Sequence, residues 1–320
     1  MSQKLNRRDW NALVLTGLAG VFIPSVFASC KASSGIPVAF KGTPAARDAK
    51  DLGIMLGVQT YSFRDRSLDD AIIAMKELGL KSCELWEGHV EPYEYQRTAG
   101  QTPADVKFKT EKLKEWRKNL TMDEIRKIKA KFGQAGISIQ AYNGGIKDNI
   151  SEADLDLVFK IAETLGAQAV TSSATVSVMK RVDEYAKKYK MIVAMHNHSH
   201  VSRPNEFSSP DSFARAMNGL SEYLWINLDI GHFTAAGFDA VAYMKEHHAK
   251  ILSIHVKDRK KNQGENVVFG QGDTPIIPVL QLIRDNKWPI PANIEYEYKG
   301  SDTVQEVRKC LEYCKNGLNS

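Results

Sequence analysis

From Gly53 onward the sequence predicts one (β/α)8 barrel, the α/β fold in which eight parallel strands close on themselves inside a ring of helices. Three observations predict it. Eight short β-rich runs alternate with amphipathic helical runs over about 270 residues, a length that such barrels use as a single domain. No G-x-G-x-x-G follows the first strand, which disfavours an open, doubly wound sheet. The later strands also alternate apolar and polar residues, although the helices between them imply cover on both faces.

The first strand is IMLGVQTY (54–61), and SLDDAIIAMKELGL follows with Ser67 as a cap and acids in its first turn. The second strand is KSCELW (81–86). The stretch 87–120 is the longest interruption; it is charged and aromatic, and reads as a loop with some helix over the barrel mouth. Within it KFKTEKLKEWRKNL (107–120) is the densest basic run, but it carries acids too and reads as a solvated face rather than a nucleic-acid footprint. TMDEIRKIKAKFGQAG opens on a capping box, Thr121 three residues before Glu124, and leads to ISIQAY (137–142). SEADLDLVFKIAETLG leads to AQAVTS (167–172). The segment 177–189 fills the next helical place less clearly, before MIVAMH (191–196). SPDSFARAMNGL, DAVAYMKEHHAK, TPIIPVLQLIRDN and DTVQEVRKCLEYC then accompany LWINLDI (224–230), ILSIHV (251–256) and ANIEYE (292–297).

Residues 1–30 are different in kind. A charged opening, an apolar stretch from about Ala12 to Ala28 and small residues before Cys30 have the layout of an export signal. Arg7 and Arg8 before a Gly-containing apolar core resemble a twin-arginine signal, and FASC resembles a lipobox that would be lipidated at Cys30, although Phe27 is a less usual occupant. Pro24 and the modest length argue against a spanning helix. Residues 31–50, rich in small residues and Pro, suit a flexible tether. The expectation is an exported protein, periplasmic or held at a membrane only by lipid on Cys30, with the barrel in 51–320. The remaining cysteines, Cys83, Cys310 and Cys314, form neither a disulfide framework nor a CxxC motif.

The candidate site comes from the polar strand faces. In LWINLDI, Trp225, Asn227 and Asp229 oppose an apolar face; in ILSIHVK, Ser253, His255 and Lys257 do; in ANIEYEY, Asn293, Glu295 and Glu297 do. Inside a barrel, unpaired carboxylates would cost several kcal/mol each, to order of magnitude, so they need partners. His196, Asp229, His255 and Glu295 end four consecutive strands and point inward. Two imidazoles and two carboxylates converging in this way suit a divalent cation. Three of the eight histidines crowd into AMHNHSH (194–200). His196 reads as a ligand and His198, two residues on, as facing substrate, while His200 reads more as a loop residue.

At these residues the chain resembles the sugar phosphate isomerase/epimerase superfamily with the xylose isomerase-like barrel, over roughly residues 53–315. The motifs that carry the resemblance are LDIGH (228–232), IHVKDR (254–259), FGQGD (269–273) and IEYE (294–297). The resemblance implies one divalent ion (Mn, Zn, Co or Mg) on Asp229, His255 and Glu295, with His196 standing where many members have a Glu. The export pattern and the lack of a clear phosphate-gripping motif favour a free sugar or keto-sugar substrate, converted through an enediolate by Glu295, His198 and Lys257. His232, Glu84, Trp86, Arg259 and Glu297 would line the substrate. Plainer roles compete: Lys257 neutralising Glu297, His232 capping the next helix, Trp86 packing, and GQGD forming a tight loop rather than a phosphate cradle. Loss of one acid/base Glu makes elimination, by a dehydratase or lyase acting on a keto-inositol or 3-keto-glycoside, the main alternative. A non-catalytic carbohydrate-binding lipoprotein is the rival from another class. Nucleic acid is not an expected partner, and an oligomer is compatible with the sequence.

Overall fold

The computed structural model describes residues 52–96 and 100–320. Among these residues eight parallel strands close into a barrel in chain order. They are β1 (Leu56–Gln59), β2 (Ser82–Trp86), β3 (Ser138–Asn143), β4 (Ala169–Ser172), β5 (Ile192–His196), β6 (Leu224–Asp229), β7 (Ile251–Val256) and β8 (Ala292–Ile294). Around them run α1 (Leu68–Glu77), α2 (Pro103–Asn119), α3 (Met122–Ala135), α4 (Glu152–Leu165), α5 (Met179–Tyr189), α6 (Pro210–Met217), α7 (Ile230–Ala235), α8 (Ala240–His247), α9 (Ile276–Asp285) and α10 (Thr303–Asn319). The predicted barrel is the observed one. The expected export signal and tether, residues 1–50, lie outside the described residues. Among the described residues no helix is long and apolar enough to cross a membrane.

Local chemistry starts the helices where the sequence indicated. Ser67 accepts the Asp70 amide at the head of α1, Thr121 and Glu124 form the capping box of α3, and Ser151 caps α4. The unclear segment 177–189 is a helix, α5, entered through a short 3-10 turn. The interruption 87–120 holds two 3-10 turns and then the 17-residue α2, opened by a Thr102–Asp105 capping box. No residue of α2 is buried, so its sequence carries little of the apolar periodicity that reveals a helix.

The outward faces of the strands make the core. Leu224, Leu228, Ile254, Val256 and Ile294 are buried in one apolar cluster with Val279 and Leu280 of α9 and Val307 of α10. Each such side chain contributes about 1.5–3 kcal/mol by leaving water. With that face occupied by helices, the alternate residues must enter the barrel. Strand β8 is shorter than its sequence pattern, ending at Ile294, so Glu295 and Glu297 belong to the loop that follows. The Glu295 amide still bonds the Val256 carbonyl at 3.0 Å, which keeps its side chain at the rim.

Candidate metal centre

Strand register sets the site. Asp229 pairs with His255 across β6 and β7, and His196 pairs with Asn227 across β5 and β6. With Glu295 at the end of β8, four potential ligands meet at one rim, and one donor atom from each lies within 4.8 Å of the others. All four residues are buried. Nine buried side-chain polar atoms lack a hydrogen bond among the described residues, and four of them are His196 Nδ1, Asp229 Oδ2, His255 Nδ1 and Glu295 Oε2. His255 Nδ1 and Glu295 Oε2 pair as ions at 3.2 Å, yet none of the four atoms makes the hydrogen bond that a buried polar atom normally makes, and their convergence suits a group that binds there. The donor set of two imidazoles and two carboxylates fits a divalent cation of the Mn, Co or Zn kind, with Mg less suited to nitrogen ligands.

Charge points the same way. Lys257 is 2% exposed, and its ammonium lies 3.1 Å from Asp229 Oδ2, 2.8 Å from Glu295 Oε2 and 2.6 Å from Glu297 Oε2. Only the Glu297 contact has hydrogen-bond geometry, which is why the other two oxygens count as unsatisfied. Burial pushes the Asp229 carboxyl up to about 6, against the pull of Lys257. Burial would raise Glu295 too, but Lys257 and His255 outweigh it and hold that carboxyl well below its usual range. Burial, reinforced by His255, keeps His196 neutral, the form in which an imidazole binds a cation. His255 is opposite: burial disfavours its charge, but Glu84 and Glu295 overcome that and raise it well above the usual imidazole value. A proton on His255 thus supplies positive charge that a divalent ion would supply in its place.

Glu84 explains the orientation of His255. It is fully buried, its Oε2 lies 2.9 Å from His255 Nε2, and His255 Nδ1 thereby faces the other ligands. Carboxylates behind ligating histidines fix ring and tautomer in just this manner. Glu84 is itself held from around the barrel. Its Oε1 accepts from Gln59 of β1 (2.9 Å), Asn143 of β3 (3.3 Å), Thr171 of β4 (2.7 Å) and Asn227 of β6 (3.2 Å), and its Oε2 accepts again from Asn227 (3.2 Å). Opposite Glu84 and Asn227 the neighbouring strands each carry one extra residue, Gln140 in β3 and Leu252 in β7, irregularities of the kind that re-aim side chains.

Above the four ligands opens a cavity of 240 Å³ lined in part by His196, His198, His232, His255, Lys257, Glu295 and Glu297, with Tyr61 and Trp86 on its wall. A second cavity of 1120 Å³ adjoins it through the same Tyr61 and Trp86. The model of the xylose isomerase-like TIM barrel matches residues 72–316. The chain belongs to that family. Solved structures agree in fold. A protein of Parabacteroides distasonis described as uncharacterized is 23% identical, with TM-score 0.55, over 81% of this chain and 96% of that one. The 3-keto-D-glucoside 4-epimerase of E. coli, in its apo form, is 12% identical with TM-score 0.60, over 82% and 99%. A probable 3-DHS dehydratase of Bacillus anthracis is 15% identical with TM-score 0.57, over 83% and 98%. No relative is found among curated proteins.

Within this xylose isomerase-like barrel several expected site residues fall elsewhere. Glu84 does not line the cavity as a substrate residue would; it lies beneath, consumed by hydrogen bonds inside the barrel. Arg259 also stands back from the cavity lining: its Nη1 lies 2.6 Å from His232 Nδ1 and 3.0 Å from Ser199 Oγ, and its Nε bonds the Gly264 carbonyl. Helix α7 is capped by Asp229, whose Oδ1 accepts the His232 amide, so His232 is the capped residue and its ring is left to the cavity. His198 follows the end of β5 yet still reaches the cavity, whereas His200 pairs with Glu206 at 3.1 Å on the exposed loop. Trp86 packs edge-on against Tyr61 and His89 as well as lining the wall.

The residues that sequence reasoning missed are Gln59, Asn143, Thr171 and Asn227, the holders of Glu84, and Asp258. Asp258 accepts the amides of Gly270, Gly272 and Thr274, so the backbone donors of the GQGD loop are already taken and the loop is a tight turn without free amides for phosphate. The signals were inward strand positions, which set Asn227 on a polar face without giving its role, and the place of Asp258 inside the IHVKDR motif.

Proposed function

We propose that this protein is a divalent-metal-dependent enzyme that removes the proton beside the carbonyl of a free sugar or keto-sugar and returns it at another carbon or face. That makes it an isomerase or epimerase working through an enediolate. The observation that carries the reading is the convergence of four unsatisfied buried atoms, one each from His196, Asp229, His255 and Glu295, beside a buried ammonium. Those four residues would hold the ion. When bound, the ion supplies Lewis acidity to the substrate's oxygens and so acidifies the neighbouring C–H.

The chain's own groups divide the remaining work. Glu295, held ionised by Lys257 and His255, accepts the proton on its carboxylate. Lys257 presents an ammonium to the oxygen on which charge develops. His198, which burial holds below the usual imidazole range, is neutral and faces the cavity from the opposite loop, placed to receive or return a second proton. Tyr61 and Trp86 give the ring an apolar wall. Free saccharides suit both the GQGD turn, whose amides are taken, and the export pattern of residues 1–30, which supports a periplasmic or lipid-anchored location.

Elimination is a second reading favoured by a specific observation. An imidazole, His196, stands where a symmetric pair of carboxylates would need its second member, and the further bases on the cavity wall include the neutral imidazoles of His198 and His232. A keto-inositol or 3-keto-glycoside would then lose a β-substituent after the same proton abstraction. The test is metal content of the purified protein followed by solvent deuterium incorporation into candidate keto-sugars. Incorporation that ceases on chelation and returns with Mn or Zn is the expected result; full incorporation after exhaustive chelation refutes the proposal. Carbohydrate binding without any exchange would point to a passive binding protein.

A further inference from the structure

We propose that the 1120 Å³ cavity is a second subsite that holds a neutral, hydroxyl-bearing ring joined to the ring over the metal centre, so that the substrate is a two-ring glycoside. The inference rests on the preceding reading for the fate of the first ring. Volume is the first argument. The chamber above the ligands, 240 Å³, falls short of the roughly 300–1,000 Å³ of ordinary ligand pockets, whereas its neighbour exceeds that span. Tyr61 and Trp86 belong to the walls of both, so the larger space adjoins the centre at these two rings.

The lining selects the ligand. Tyr61, Trp86, Tyr93, Trp116 and Tyr142 face the cavity, and such side chains offer a broad apolar face with a polar tip, the combination that a sugar or hydroxylated aromatic ring presents in return. An anion would find the cations committed. Arg117 bonds Glu91 at 2.8 Å, Lys114 pairs with Glu111 at 2.8 Å, Arg64 bonds the Tyr296 carbonyl at 2.9 Å, and Lys147 bonds the Ser173 carbonyl. Glu87 stands on the same wall as a partner for hydroxyl groups, while Asp65 and Asp154 accept from Thr303 and Ser151.

Two glycines show that the wall is built. A Cβ at residue 88 would collide with the Trp86 indole, so Gly88 lets that ring lie against the backbone. A Cβ at residue 145 would stand 2.6 Å from Glu87 Oε1, so Gly145 leaves room for the carboxyl, whose Oε2 accepts the Gly145 amide at 2.7 Å. Burial, and then Glu91, push the Glu87 carboxyl up to about 7, so near neutrality it can both donate to and accept from a hydroxyl.

The test uses the full-length, metal-loaded protein and three probes: a keto-monosaccharide, the same ring linked to glucose, and the same ring linked to a 4-hydroxyphenyl group. Tryptophan fluorescence reads binding, and solvent deuterium incorporation reads chemistry. We expect at least one two-ring probe to bind about tenfold more tightly than the one-ring probe. The arm that prevails tells a second sugar from an aryl group. Tyr93→Ala, at an exposed residue, and Glu87→Gln should each lower the two-ring over one-ring preference several-fold. Equal affinity for all three probes, or a preference that survives both substitutions, overturns the inference. Should Glu87→Gln fail to fold, Tyr93→Ala decides. Exchange on the one-ring probe with no gain from a second ring would defeat this inference and leave the metal-centre reading standing. Two-ring binding without exchange on any probe would do the reverse.

Discussion

The half of the barrel built from β5 to β8 and the half built from β1 to β4 use inward polar residues in opposite ways. On the first side His196, Asp229, His255 and Glu295 each bring an atom that no hydrogen bond satisfies. On the second side Gln59, Asn143 and Thr171 are neutral, and all three donate to the buried carboxylate of Glu84. Glu84 then reaches across to His255, and Asn227 and Asn293 donate to it from the other half. The difference teaches that the donor atoms on one side converge with only charge pairing to Lys257 and His255, while the carboxylate on the other is saturated with hydrogen bonds and holds them in place. A saturated carboxylate is structural and orienting, whereas unsaturated ones are available to a ligand.

The comparison can be broken first at Glu295. Glu295→Gln should lower solvent proton exchange by about 10²–10⁴-fold, the range for loss of a general base, measured by deuterium incorporation into a keto-sugar. A change below threefold would remove Glu295 from the chemistry. Next comes the ion itself. Mn or Zn at about 100 times its dissociation constant should stabilise the fold by about 2.7 kcal/mol, seen as a rise in melting temperature, and Asp229→Ala should erase most of that rise. An equal rise in the variant would mean that the ion binds elsewhere.

The saturated half is tested by Glu84→Gln, which keeps the shape but removes the charge behind His255. Metal affinity should fall about 10–100-fold in a competition titration with a chromophoric chelator. Unaltered affinity would reduce Glu84 to packing. The smallest effect concerns Glu87, outside both sets. Its folded-state carboxyl, raised to about 7 by burial and Glu91, binds its proton more tightly than the unfolded chain does. Stability is therefore greatest from this group below its unfolded value and is lost as pH rises towards 7. Glu87→Gln should flatten that fall and stabilise the protein at pH 8 by about 1–2 kcal/mol, measured by urea unfolding across the pH range. An unchanged slope would place the charge elsewhere.

Much of the first half of this contrast was legible in sequence. Asp229, His255 and Glu295 follow a two-residue alternation that is odd for a covered strand, and His196 ends the strand before them, so local pattern alone exposed them. The second half was not. The resemblance placed Glu84 with Trp86 on the substrate wall, but the carboxylate is buried and held by donors from five other strands, β1, β3, β4, β6 and β8. Helix α2 was legible only as some helix within a long loop, since it buries no residue and shows no apolar stripe that would give its extent.

The sequence by itself determined the barrel, the order of its strands and the four residues near the C-terminal ends of β5 to β8, because periodicity and helix caps are properties of near neighbours along the chain. Only the tertiary structure decided that Glu84 stands behind His255, 171 residues away, that Arg259 backs His232, and that α2 and the end of β2 enclose a second cavity. Those relations depend on strand register and loop packing, and no spacing along the chain encodes the distance between two side chains that meet across a closed sheet.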